Sequence, residues 1–86
     1  MPILSSFFGI SIRMFYKEHG VPHFHAEYQG RQAVFALDGR LLAGSLQSRT
    51  ACRLVGDWAK EHEDELARNW ARMGSGEPMR PIAPLD

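Results

Sequence analysis

The sequence predicts an α+β domain: an antiparallel meander of three or four strands, one long C-terminal α-helix packed on one face, and an extended tail that contains prolines. Three observations carry this reading. Residues 9–46 alternate apolar and polar side chains and are punctuated by turn residues, the pattern of half-buried strands. Residues 49–73 place apolar side chains at three- and four-residue steps, the pattern of a helix with one buried face. The chain has 86 residues, enough to bury one core and too few for two.

The first strand is read over residues 9–17, where Ile10, Ile12, Met14 and Tyr16 alternate with Ser11, Arg13, Phe15 and Lys17. Gly20 and Pro22 mark a turn, because glycine admits positive φ and proline cannot donate to a ladder. The second strand is read over 22–29, with Phe24, Ala26 and Tyr28 on one face and His23, His25 and Glu27 on the other. Gly30 turns the chain into a third strand, 31–37. Asp38-Gly39 is a strong hairpin signal leading to a weaker fourth strand, 41–46. Ser48 is a good N-cap for the helix over 49–73, whose stripe runs through Leu54, Val55, Trp58, Ala59, His62, Leu66, Trp70 and Met73. On the polar face Asp64 precedes Arg68 by four, the favourable order for an ion pair. Gly74 and Gly76 end the helix, and the tail over 74–86 has Pro78, Pro81 and Pro84 at a spacing of three, which favours extended backbone. Met79, Ile82 and Leu85 share that spacing and suit docking on the domain itself.

Composition excludes several classes. With 44% hydrophobic and 23% charged residues the chain is neither disordered nor low in complexity. Ten basic side chains balance ten acidic ones, so a strongly cationic nucleic-acid binder is not indicated. The balance is uneven along the chain: residues 1–50 carry five basic and three acidic groups, residues 51–86 five and seven. One cysteine, Cys52, excludes an internal disulfide and fits a reducing compartment. No apolar run suits a membrane helix, and the first residues lack a basic leader and cleavage site. The expectation is a cytoplasmic protein with no membrane partner.

The chemistry concentrates in Glu18–Tyr28, EHGVPHFHAEY. If the aromatic residues face the core, His23, His25 and Glu27 point together to the open face, with Arg13 and Lys17 available from the first strand. Three readings follow. His23 and His25 could ligate a divalent ion, zinc first, with Glu27 or His19 as a further ligand. Alternatively, His23, His25 and Glu27 could act as acid–base catalytic groups on RNA, with Arg13 and Lys17 binding the anion. The bland reading has the histidines in cross-strand hydrogen bonds and the face against a protein partner. His62 and the two tryptophans read as core, and Cys52 as a passive thiol. A free sheet edge also allows a homodimer.

The string FFGISIRMFYKEHGVPHFHAEYQG resembles the opening of a bacterial family, domain of unknown function 4160. The likeness runs over Phe8, Gly9, Ile10, Ile12, Met14, Pro22, His23, Phe24, His25, Glu27 and Tyr28. It continues through Leu54, Trp58, Ala59, His62, Glu65, Leu66, Asn69 and Trp70, and then Glu77-Pro78 and Ile82. Val21 stands where many members have a second proline. The resemblance implies a small stand-alone bacterial protein, often encoded beside another small domain in an arrangement similar to toxin–antitoxin pairs. It therefore implies a small protein partner encoded nearby, and RNA as a conceivable target, and it supplies no catalytic residues.

Overall fold

A computed structural model describes residues 3–85. The sheet has five antiparallel strands in sequential order: β1 (Ile3–Phe7), β2 (Ile10–Arg13), β3 (His23–Tyr28), β4 (Arg31–Ala36) and β5 (Leu41–Gly44). Two helices follow, α1 (Arg49–Glu61) and α2 (Glu63–Ser75). The class is α+β, but strand number and helix number both differ from the sequence reading. The added strand is β1. Its alternation is broken by a bulge between Ile3 and Ser5, which leaves Leu4 and Ser5 both buried and hides the period of two. Gly9, read as the first residue of a strand, instead forms a two-residue turn with Phe8, at φ 79 and 50 respectively. That is the twist a tight hairpin needs. Gln29-Gly30 repeats the device with φ 50 and 77. The strand read over 9–17 stops at Arg13, and residues 14–22 form the connection to β3.

The single long helix is divided at His62, whose ψ of 23 leaves the helical region. Its N–H closes α1 on the carbonyls of Trp58 and Ala59, and α2 starts afresh at Glu63. Periodicity could not show this, because the apolar stripe continues across the break. Ser48 caps α1, its Oγ accepting from the Ala51 N–H at 3.0 Å. Gly76, not Gly74, takes the left-handed conformation that ends α2, with the Glu77 N–H donating to the Arg72 carbonyl. The Asp64–Arg68 ion pair is not formed; the i,i+4 pair among the described residues is Arg53–Asp57, at 3.5 Å.

The core lies between the helices and one sheet face. Ile10, Ile12, Phe24, Ala26, Ala33 and Phe35 meet Val55, Trp58, Ala59 and Leu66, all buried. The tail is extended and closes one end of this layer. Ile82 is buried and its N–H donates to the Leu4 carbonyl at 2.7 Å. Met79 and Leu85 pack against the same core. No described helix is long and apolar enough to cross a membrane.

The β4–β5 turn rests directly on the α1 backbone. A Cβ on Gly39 would stand 3.0 Å from the Gly56 carbonyl oxygen and 3.1 Å from Gly56 Cα, at a φ of +95. A Cβ on Gly56 would meet Gly39 O at an ordinary 3.7 Å. Gly39→Ala is therefore expected to destabilise by more than about 1 kcal/mol. Gly56→Ala is expected to stabilise by about 0.5–1 kcal/mol through helix propensity. Urea unfolding of the two variants checks the opposite signs.

Candidate metal centre

The site is built at the start of β3. Phe24 and Ala26 are drawn under the helices, so strand alternation turns His23, His25 and Glu27 to the other face. The 14–22 connection uses left-handed backbone at Lys17 (φ 67) and Gly20 (φ 89) to bend back over that face. This return carries Glu18 onto both histidines. His25 Nε2 lies 2.5 Å from Glu18 Oε1, and His23 Nε2 lies 3.1 Å from Glu18 Oε2. His23 Nδ1 donates to the Val21 carbonyl at 2.7 Å, which fixes the ring and aims Nε2 at the carboxylate.

Aromatic rings hold the imidazoles in place. Phe15 meets the His25 ring edge-on at 4.7 Å, the two histidines stand 5.3 Å apart, and Trp70 of α2 lies 5.2 Å from His23. The side chains of His23, His25 and Glu18 keep 13%, 27% and 24% of their surface exposed, so the cluster is walled but open to solvent. One ligand atom from each of Glu18, His23 and His25 falls within 4.8 Å of the others. Two imidazole nitrogens and a carboxylate oxygen at that separation can converge on one divalent ion and leave coordination positions free.

The structure thus joins His23 and His25 to Glu18, a residue the sequence reading did not select. Glu27 shares their face of β3 but pairs across the sheet with Ser11 and Gln32. Arg13 stands opposite His25 on β2. Together with Phe15, His25, Glu27 and Gln32 it lines a small cleft of about 40 Å³ beside the cluster. Its Nε is buried and has no hydrogen-bond partner among the described residues. Lys17 is exposed on the connection, His19 is exposed and outside the three-residue group, and Cys52 is a half-buried free thiol. His62 sits apart against Trp58, its Nδ1 2.7 Å from Glu65 Oε1. Trp70, read as core, is half-buried and forms a wall of the site. Glu18 could have been found from its place just before Gly20 and Pro22, since a turn there returns the chain onto the strand carrying the histidines.

These features define a small α+β domain with a histidine–histidine–carboxylate cluster at one strand end. The chain belongs to the family described as "Domain of unknown function (DUF4160)", which matches residues 9–71. No curated protein and no solved structure matches the chain.

The Glu18 carboxyl is held below its ordinary value of 4.5. Burial acts to raise it, but the hydrogen bonds from His25 and His23, and their charge, together outweigh burial. A lowered folded-state value means that the ionised form stabilises the fold. That contribution is complete above the unfolded value and is lost as pH falls through the folded one. Stability should therefore fall on acidification below about pH 4.5, and Glu18→Gln should flatten that acid limb. Chemical denaturation at stepped pH measures both; parallel limbs would contradict the assignment.

Proposed function

We propose that this chain is a cytoplasmic accessory protein that binds a divalent metal ion, zinc first, through Glu18, His23 and His25. The convergence of three ligand atoms within 4.8 Å carries the reading. The Nδ1 bond of His23 to the Val21 carbonyl supports it, because metal-binding histidines are commonly oriented through their second nitrogen. An ion here would be held by one ring nitrogen from each histidine and a Glu18 carboxylate oxygen. The cluster is partly exposed and adjoins the cleft lined by Arg13 and Glu27. A bound ion would supply Lewis-acid chemistry, and Arg13, whose Nε is buried without a hydrogen-bond partner among the described residues, lines the cleft beside His25. The free Cys52 thiol agrees with a reducing compartment. Acid–base chemistry on RNA is less well served, since both Nε2 atoms are engaged by Glu18.

Purified protein should hold zinc in stoichiometric amount by mass spectrometry. His23→Ala and His25→Ala should each lower zinc affinity by more than about 100-fold, beyond what outer-shell changes cost. Protein that takes up no zinc in a competitive chelator titration would refute the proposal.

A second reading, that the protein acts through a partner in the manner of a toxin–antitoxin component, is favoured by β5. Every residue of this edge strand is exposed, and Leu41 and Leu42 keep 49% and 44% of their surface. An unprotected edge with apolar side chains is a template for another strand, from a small protein or from a second copy. Leu42→Lys should abolish such a complex while leaving the monomer folded. Sizing chromatography of the chain, alone and co-expressed with its genomic neighbour, checks this.

A further inference from the structure

We propose that the groove between α2 and the C-terminal segment binds a phosphate group, held by Arg68, Arg72 and Arg80. These three guanidinium-bearing residues line one groove of about 140 Å³ with Glu65, Asn69 and Ile82. Arg68 and Arg72 are one helical turn apart on the same side of α2. Arg80 is brought to them by Asn69, which is 1% exposed. The Asn69 amide donates to the Arg80 carbonyl at 2.8 Å and its Oδ1 accepts from the Arg80 N–H at 2.9 Å, the double bond pattern of a paired strand. The same Oδ1 accepts from the Arg72 guanidinium at 2.8 Å. One buried amide therefore positions two arginines.

Among the described residues lining this groove, three arginines face one carboxylate. Among the described residues no carboxylate pairs with Arg68, Arg72 or Arg80. The acid in the groove, Glu65, is engaged by His62 Nδ1 at 2.7 Å. Three like charges beside a single carboxylate repel, and a tetrahedral oxyanion relieves that repulsion while accepting several N–H bonds. The rim is open, since Arg68 and Arg80 are exposed. A free phosphate and a phosphodiester of a nucleic acid offer the same chemistry.

The proposal is independent of the metal centre. The full chain is titrated by calorimetry with inorganic phosphate and, separately, with a short oligouridylate. Arg68→Ala/Arg80→Ala, which leaves the Arg72–Asn69 bond intact, should weaken binding by about tenfold or more. Arg68→Lys/Arg80→Lys should recover part of it. Saturable binding of inorganic phosphate identifies a free phosphate ligand. Binding of the oligonucleotide alone, falling steeply with salt, identifies a nucleic-acid backbone. The proposal is overturned if neither probe binds saturably, or if Arg68→Ala/Arg80→Ala binds as tightly as the wild type. Urea unfolding confirms that the variants are folded.

Discussion

The burial of Trp58 is the constraint on which the rest of this structure depends. The ring is fully buried on α1 and touches three parts of the chain at once. It lies 5.7 Å from Phe24 on β3, 5.6 Å from Phe7 on β1, and 5.4 Å from His62 at the helix break. Its indole N–H donates to the Ala83 carbonyl at 2.8 Å, so the tail is fastened to the same side chain. A buried indole needs that partner, because an unmade bond in the interior costs about 1–3 kcal/mol. An aromatic of this size contributes about 3–5 kcal/mol in a core. That is a large share of the roughly 5–15 kcal/mol available to a small domain.

The candidate site inherits its rigidity from this arrangement by a short route. Packing of Phe24 against Trp58 and Phe35 fixes β3, and β3 fixes His23 and His25 on its reverse side. The break at His62 starts α2 on a separate course, and along it Trp70 reaches the His23 ring. Two ligand positions are thus set by the sheet and one wall by a helix. The third position, Glu18, is set by the 14–22 connection alone. That connection is itself tied down: the Tyr16 hydroxyl donates to the Glu77 carbonyl at 3.1 Å and accepts from the Met79 N–H at 3.2 Å.

How much of this was legible depends on whether a feature has a period. The alternation of Phe24 and Ala26 with His23, His25 and Glu27 is visible because one face is buried and the other is not. The helical stripe through Val55, Trp58 and Leu66 is visible for the same reason. The bulge at Leu4 and Ser5 breaks an alternation, so β1 leaves no trace in the pattern. The break at His62 has the opposite cause: the stripe runs through it unbroken while the backbone does not. Glu18 sits on a turn, where no periodicity ranks one carboxylate over another. Glu27, two residues from His25, looked the better partner by spacing alone. Tertiary return of the chain, not strand geometry, decides which acid meets the imidazoles.

The link between Ile82 and Leu4 has a bearing on the order in which the fold is completed. Each strand pairs with its sequence neighbour, so the sheet can zip from consecutive hairpins with little loop entropy to overcome. The Ile82 N–H, however, reaches the Leu4 carbonyl across almost the whole chain. The contact therefore has a long loop to close and belongs to a late step of folding. The sheet can zip before that contact exists, but its outer strand β1 is secured only when the segment beyond α2 has docked on the assembled core.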